Sequence, residues 1–273
     1  TNKLYDDQPE IRLKQEMILG IGGWRALRAL GLAPDVCHLN EGHAAFLVLE
    51  RAGDFMRRYN KSFAVALAAT RAGNVFTTHT PVAAGFDSFS PELIAHHLRA
   101  YLETTGISLG EMLRLGRKDG DNGAEPFNMA YLAMRGSASI NGVSRLHGKV
   151  SRQIFQPLYY RWPEDEVPVS HVTNGIHVPS WDSQFADTLW TEACGKRRWL
   201  HATEDLNEAI QSVSDADLWA FRTTQRRNLV DWVRQRLAHQ LRQQGAESSR
   251  RAEAEHTLDA SVLTVGFARR FTE

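Results

Sequence analysis

Four polar segments of the sequence carry side chains that could bind a hydroxyl-rich or anionic ligand. They are HLNEGH (38–43), TTHTP (77–81), HVTNGIH (171–177) and ARRFTE (268–273). Each has an imidazole, amide or guanidinium group near a glycine or proline that shapes the backbone, and such groups form hydrogen bonds with polar ligands. Each also follows a predicted strand, and ligands of open α/β sheets bind at the C-terminal ends of strands. The four segments therefore predict one shared ligand crevice.

Each segment also has a purely structural explanation. Asn40 and Glu41 are suited to cap the helix that we predict from His43 onward. His79 could be a buried histidine with both ring nitrogens hydrogen-bonded, and the sequence TNG (173–175) is common in turns. The two arginines of ARRFTE are either surface charges or a clamp that holds an anion through paired hydrogen bonds. The residues alone leave these alternatives open.

A metal site and two nucleotide-binding motifs fit the sequence poorly. Cys37, His38, Glu41 and His43 lie close together but lack the spacing of helical metal ligands, and alternation along a strand places Cys37 and His38 on opposite faces. No CxxC and no GxxxxGK[ST] motif occurs. The segment GIGGWRALRALG (20–31) does not match GxGxxG, and we interpret its glycines as points of close helix packing. We therefore predict no bound metal.

Composition narrows the class of protein. Lys plus Arg and Asp plus Glu number 32 each, so no net charge draws the chain to nucleic acid or to a membrane surface. Two cysteines are too few for a disulfide framework, and no apolar run long enough for a membrane span is present. We predict a soluble, cytoplasmic protein. Because the sequence opens without methionine and stops just after a predicted core strand, we also expect it to be a segment of a longer protein.

Predicted strands and helices alternate along the first two thirds of the chain. Apolar spacing predicts helices over 10–30, 43–59, 63–73 and 91–105, and strands over 34–39 and 74–80. The segment 127–160 is predicted to form two helices joined by a glycine-marked turn, and 167–181 a third strand with its loop. This alternation is typical of a doubly wound α/β domain.

The pattern changes beyond residue 181. Residues 182–244 are predicted to be helical, with an apolar stripe made by Leu218, Phe221, Leu229, Val233, Leu237 and Leu241. A solvated connection (245–256) and a buried strand, VLTVGF (262–267), follow. We therefore predict part of an N-terminal α/β lobe over 1–181, a helical segment and connection over 182–260, and the first strand of a second lobe over 261–273.

Six sequence blocks, taken in order, resemble the α-glucan phosphorylases. They are RLKQEMILGIGGWRALRALG, HLNEGHAAFLVLER, FTTHTPVAAGFDSF, FNMAYLAMRGSASINGVSRLHGKVSRQIF, HVTNGIHVPSW and VGFARRFTE. This is the family of glycogen, starch and maltodextrin phosphorylases, and the likeness is strongest to its shorter bacterial branch. The resemblance extends from about Glu10 to Trp181 and resumes at Leu263.

The resemblance implies a partial lobe of glycosyltransferase-B-like fold, with an active site between two lobes in the intact enzyme. Such enzymes use inorganic phosphate to cleave the terminal α-1,4 bond of a glucan, and they release glucose 1-phosphate with retained configuration. They use pyridoxal 5′-phosphate, which acts through its phosphate group, and they commonly form homodimers. The lysine that binds the cofactor lies beyond this sequence in the family, so we expect the chain alone to be inactive.

The family motifs imply roles for particular residues. Glu41 and His43 would lie in the sugar pocket, and the backbone of Ala138 would contact the glucosyl unit. Of the two arginines, Arg269 would face the cofactor phosphate and Arg270 the substrate phosphate. The remaining residues implied to bind substrate are His79, Asn141 and Asn174.

Two other functions remain possible at the level of sequence. A nucleotide-sugar glucosyltransferase such as glycogen synthase would share the two-lobed shape, but it would lack the series NEGH, THTP and NGVSRLH. A non-catalytic glucan-binding fragment is the second alternative.

Overall fold

A computed structural model of the protein describes residues 8–200 and 203–267. The chain divides into two compact units, residues 1–174 and 175–273, which we describe separately. The domain boundary that we predict after residue 181 lies close to this division and stays a prediction. Within the described ranges, no helix combines the length and the apolar character that crossing a membrane would require.

The first unit is mixed α/β. Its strands are β1 Cys37–Asn40, β2 Asn74–Thr78, β3 Ser88–Phe89, β4 Phe127–Asn128, β5 Ser139–Gly142 and β6 Ser170–His171. Its α-helices are α1 Pro9–Met17, α2 Gly23–Ala29, α3 Phe46–Tyr59, α4 Phe63–Arg71, α5 Pro91–Thr105, α6 Leu109–Gly116, α7 Met129–Gly136 and α8 Arg145–Phe155. A π-helical turn, Ile18–Gly22, joins α1 to α2, so the helix predicted over 10–30 is continuous but locally widened.

A parallel sheet of four strands, ordered β1-β2-β5-β6, organises this unit. Its register pairs Asn40 with Thr77 and Thr77 with Asn141, so the C-terminal ends of three strands lie side by side. The predicted α/β class with a parallel sheet is therefore confirmed. A doubly wound sheet reverses its strand order at a switch point. Since the order here runs in one direction through the described residues, that finer arrangement stays a prediction.

The turn predicted around residues 137–142 is wrong, because this segment contains β5. Two glycines, Gly136 and Gly142, suggested a turn, yet the chain between them pairs with β2 on one side and β6 on the other. Ile140 is buried at the centre of this short strand. Pairing with distant neighbours stabilises a strand whose own sequence is only weakly apolar. The predicted third strand is shorter than expected and comprises only Ser170–His171.

Aromatic side chains and close glycine contacts hold the helices on the sheet. Phe76 of β2 packs edge-on against Phe155 of α8, with ring centroids 6.4 Å apart, and both rings are fully buried. A Cβ placed on Gly20 would lie 2.6 Å from the backbone nitrogen of Leu47, so the π turn and α3 approach closely. The interpretation of the segment 20–31 as a packing motif is confirmed for Gly20, whereas Gly23 has open space around it.

The regular elements described in the second unit are all helices. It contains α9 Val178–Trp181, α10 Gln184–Cys194, α11 Thr203–Gln211, α12 Asp215–Gln243 and α13 Ser248–Ala254. Helices α10, α11 and α12 occupy most of the segment predicted to be helical, and Leu229 of the predicted apolar stripe is exposed. Residues 245–256, predicted to form a solvated connection, are mostly exposed and contain the short helix α13.

The strand predicted over residues 262–267 is not formed in the structure. These residues adopt neither helix nor strand, and Leu263 and Val265 are 80% and 82% exposed. A buried strand needs neighbouring strands to hydrogen-bond with its backbone. The elements described in this unit are helices, which cannot supply such pairing.

Candidate functional site

The C-terminal edge of the parallel sheet gathers most of the predicted site residues. Glu41 follows β1, His79 follows β2, and Asn141 lies at the end of β5. Asn174 follows β6, and its backbone nitrogen donates to the carbonyl of Val143, which follows β5 (3.1 Å). The structure therefore places amide, imidazole and carboxylate groups from four successive strand ends along one edge.

Glu41 connects the ends of β1 and β2 through its side chain. Its Oε2 accepts hydrogen bonds from the backbone nitrogen of His79 (2.7 Å) and from Thr80 Oγ1 (2.9 Å). Its Oε1 accepts one from the nitrogen of Gly42 (3.1 Å), so Glu41 caps the short 3-10 turn Gly42–Ala44. The predicted capping of the helix itself is not formed, because α3 begins at Phe46 without a side-chain cap. Glu41 also has a backbone φ of 72°, a conformation that is uncommon for residues other than glycine. The Thr78 hydroxyl adds a fourth, longer contact to Oε1 (3.5 Å). With these donors on its carboxylate, Glu41 fixes the two loops more than it offers free acceptors to a ligand.

His43 lies on a short 3-10 turn, Gly42–Ala44, close to the start of helix α7. A Cβ on Gly42 would lie 3.0 Å from the backbone nitrogen of Ala130, so this turn packs tightly against the start of α7. Burial lowers the pKa of His43, and the positive charge of Arg12 lowers it further. The imidazole is therefore neutral near pH 7, with one nitrogen that donates hydrogen bonds and one that accepts them.

A chain of hydrogen bonds crosses three strands and orients Asn141. Thr77 Oγ1 donates to Asn141 Oδ1 (2.9 Å), and His38 Nε2 lies 2.7 Å from the same hydroxyl. Because the hydroxyl proton of Thr77 is used toward Asn141, His38 Nε2 must carry the proton that it donates to Thr77. The Asn141 amide nitrogen then donates to the carbonyl of Gly142 (3.2 Å). His38 and Thr77 belong to the site through this chain. The sequence placed them in two of the polar segments but assigned neither an individual role in binding the substrate.

His79 has an exposed side chain, so the alternative of a fully bonded buried histidine is wrong. Its backbone is held by Glu41, which leaves its imidazole on the surface of the edge.

Gly142 allows β5 to turn into α8, because a Cβ at this position would lie 2.8 Å from His147 Nδ1. That ring nitrogen accepts a hydrogen bond from the backbone of Val143 (3.2 Å). The loops after β2 and β5 are thus both held by side-chain bonds to backbone nitrogens.

Ala138 lies at the opposite end of the sheet. Its backbone nitrogen donates to the carbonyls of Arg71 (3.1 Å) and Asn74 (3.2 Å), at the N-terminal ends of β2 and β5. Since strands in this sheet are parallel, a residue that precedes β5 is separated from His79 and Asn141 by the length of the strand. The structure therefore does not bring Ala138 together with the other site residues. Arg269 and Arg270 lie outside the described residues.

A cluster of charged residues that the sequence did not indicate lies near His43. Arg12 of α1 places Nη2 2.7 Å from Asp87 Oδ2 and Nε 3.0 Å from Glu16 Oε1. Glu16 is only 1% exposed, although an amphipathic helix normally turns its carboxylates to solvent. The charges of Arg12 and Asp87 both act on His43. The i, i+4 spacing of Arg12 and Glu16 was visible in the sequence, but it reads as an ordinary surface ion pair.

Metal ligands do not assemble in the described ranges of the chain. No group of three His, Cys, Asp or Glu residues is close enough there to hold an ion. Cys37 and His38 lie on opposite faces of β1, as strand alternation predicts, with Cys37 buried and His38 exposed. Burial raises the pKa of the Cys37 thiol, which makes it a poor nucleophile and metal ligand at neutral pH.

Comparison with known proteins places these features in a wider context. A family model described as carbohydrate phosphorylase matches residues 32–246. The chain is 38% identical over 287 residues to a glycogen phosphorylase of Mycobacterium tuberculosis, an alignment that covers 99% of this chain and 32% of that protein. It is 37% identical over 270 residues to the maltodextrin phosphorylase of Thermococcus litoralis, with 98% of this chain and 31% of that protein covered. A glycogen phosphorylase of Aquifex aeolicus is 29% identical over 273 residues, covering 100% of this chain and 39% of that protein. The chain spans about a third of the length of these relatives.

Proposed function

Because this chain belongs to the carbohydrate phosphorylase family, we propose that the C-terminal edge of its sheet binds the terminal glucosyl unit of an α-1,4-glucan. In the complete enzyme, inorganic phosphate then cleaves that unit as glucose 1-phosphate with retained configuration. The names of the relatives, glycogen phosphorylase and maltodextrin phosphorylase, support this substrate class.

The observation that carries the proposal is the convergence of uncharged hydrogen-bonding groups at one edge. A glucosyl unit presents hydroxyl groups that both donate and accept, and a neutral imidazole and an oriented amide match this pattern. His43 is neutral because of its burial, and the amide of Asn141 is held by Thr77. His79 and Asn174 supply exposed groups from the neighbouring loops. In this proposal Glu41 positions the loops, and direct contact with the sugar falls mainly to the histidines and asparagines.

Phosphate and cofactor binding belong to the same proposal and rest on the sequence. Arg269 would bind the phosphate of pyridoxal 5′-phosphate and Arg270 the substrate phosphate, since a guanidinium offers paired donors to phosphate oxygens. The cofactor supplies a proton relay through its phosphate group when bound. We further propose that residues 1–181 belong to a doubly wound lobe, that residues from 261 onward begin a second lobe, and that the complete enzyme is a homodimer.

The test uses the complete enzyme with maltodextrin and inorganic phosphate. The expected result is release of glucose 1-phosphate, dependent on both substrates. In a control reaction, phosphate is left out and a nucleotide sugar is supplied as the glucosyl donor. Transfer from the nucleotide sugar, with no use of phosphate, would instead identify the enzyme as a synthase-type glucosyltransferase.

A second test addresses the site itself. In the complete enzyme, His43→Ala should raise the glucan concentration needed for half-maximal rate, because one hydrogen bond of about 0.5–1.5 kcal/mol is lost. His239→Ala is the matched control, since His239 is exposed on α12 in the other unit. An equal response of both variants would remove His43 from the sugar site.

A further inference from the structure

Glu16 is buried, and the described part of the chain offers its carboxyl group no conventional hydrogen-bond donor. The residue is 1% exposed, and neither carboxyl oxygen accepts a hydrogen bond of good geometry from the described part of the chain. Arg12, which lies one turn earlier on the same helix, places its Nε 3.0 Å from Glu16 Oε1. An ionised carboxylate in such a place would be strongly destabilising unless fully paired.

The charges around Glu16 do not balance if every group is ionised. The guanidinium of Arg12 is a single positive charge, and it already binds Asp87 through Nη2 at 2.7 Å. Asp87, from the segment before β3, is the other charged group that faces Glu16 among the described residues. The side chain of Asp87 is 34% exposed and keeps contact with water, so the charge left uncompensated among the described residues would be that of the buried Glu16. One proton on the carboxyl pair removes it.

The environment of each group indicates which one holds the proton. Burial and the neighbouring Asp87 raise the pKa of Glu16 to about 9. Burial alone would also raise the pKa of Asp87, but hydrogen bonds from Arg12 and Glu16 outweigh this and lower it. These directions favour Glu16 as the group that holds the proton, and a neutral Glu16 can donate its hydroxyl hydrogen to the carboxylate of Asp87.

We propose that Glu16 is a positioning residue, which as a neutral acid works with Arg12 to hold the Asp87 carboxylate beside His43. Asp87 and Arg12 both act electrostatically on His43, so the orientation of Asp87 influences the charge state and position of that imidazole. The role in substrate binding rests on the function proposed above, whereas the proton on Glu16 does not.

The test compares Glu16→Gln and Glu16→Leu in this chain. Glutamine keeps the shape and a donor for Asp87 but cannot titrate, and leucine has a similar volume and no donor. Because the folded pKa of about 9 exceeds the ordinary value of 4.5, the folded state holds the proton more tightly. The contribution of this proton to the free energy of unfolding is fully present below about pH 4.5 and is lost as the pH rises toward about 9.

We expect the folding equilibrium constant of the wild type to fall about tenfold per pH unit, relative to Glu16→Gln, between about pH 7 and pH 8.5. Glu103→Gln is the control, because Glu103 is exposed on α5. Parallel profiles for the wild type and Glu16→Gln would show that Glu16 is ionised and would overturn the proposal.

The positioning role has its own readout, the pKa of His43 measured by NMR. Glu16→Gln should leave it at the wild-type value, whereas Glu16→Leu should shift it, because Asp87 is no longer held. A wild-type His43 pKa in a folded Glu16→Leu variant would refute positioning. If both results are as expected in the chain but glucan does not bind the complete enzyme, the failure lies with the proposed function and not with Glu16.

Discussion

Replacement of Glu41 by alanine tests how the edge of the sheet is built. The carboxylate accepts bonds from the nitrogens of Gly42 and His79 and from the hydroxyl of Thr80. Hydrogen bonds to a charged group contribute about 1.5–3 kcal/mol each in favourable cases. The donors on His79 and Thr80 are exposed or half-buried and regain water when the carboxylate is removed, so the three contributions do not add fully. We expect Glu41→Ala to lower the free energy of unfolding by about 2–3 kcal/mol.

Two further variants at this position separate the side chain from the backbone. Glycine relieves the strain of the positive φ, which is worth about 1 kcal/mol, so Glu41→Gly should be less destabilised than Glu41→Ala. Glu41→Gln keeps one acceptor oxygen but turns an amide group toward a donor, and it should fall between the wild type and alanine.

Urea denaturation followed by circular dichroism measures these differences, with Glu103→Ala as the exposed control on α5. Amide hydrogen exchange at His79 adds a local readout, since its protection depends on the carboxylate. If Glu41→Ala unfolds within about 0.5 kcal/mol of the wild type and His79 keeps its protection, the carboxylate does not hold the loops together.

Three other substitutions address separate features. Gly142→Ala should lower the free energy of unfolding by about 1–3 kcal/mol, because its Cβ would lie 2.8 Å from His147 Nδ1 and close to adjacent backbone. Gly110→Ala is the control in the same denaturation assay and should be neutral or stabilising, because the space around Gly110 in α6 is open. Because the pKa of His43 is lowered in the folded state, the unfolded chain takes up a proton first, and stability is lost as the pH falls below about 6.5. In unfolding curves between pH 7 and pH 5.5, His43→Asn should lose this pH dependence. A slope equal to that of the wild type would contradict the lowered pKa of His43. In the complete enzyme, Arg270→Ala should raise the phosphate requirement far more than the glucan requirement, with Arg270→Lys intermediate, and steady-state kinetics with equal small effects on both would make Arg270 a bystander.

Elements with strong local signals were predictable from the sequence. Helix α5 begins at Pro91 behind a Ser90 side chain that accepts from the nitrogen of Leu93, and it ends at Gly106 with a positive φ. These are start and stop signals that act within one turn of the helix. Strands β1 and β2 were likewise visible as short apolar runs before polar loops, and with them Glu41 and His79 were assigned to one edge.

Features that depend on distant pairing were not predictable in the same way. Strand β5 exists because β2 and β6 flank it, and neither neighbour can be read from the segment SASING. Missing this strand also hid its direction, so the sequence did not show that Ala138 and Asn141 lie at opposite ends of it. Glu16 was missed for a different reason. Hydrophobic periodicity assumes that carboxyl groups face solvent, and it cannot anticipate one that is neutralised by a proton.

The order of strands in the sheet has a consequence for how the protein is made. Strands β1, β2, β5 and β6 occur in the same order along the chain and across the sheet. Contacts between neighbours join residues 39, 64 and 30 positions apart, so no pairing must wait for the far end of the chain. The entropy of loop closure differs among these separations by less than about 1 kcal/mol. During synthesis on the ribosome, each new strand can therefore add to one growing edge of the sheet as it emerges, and the row of strand ends proposed to bind the ligand lengthens with every addition.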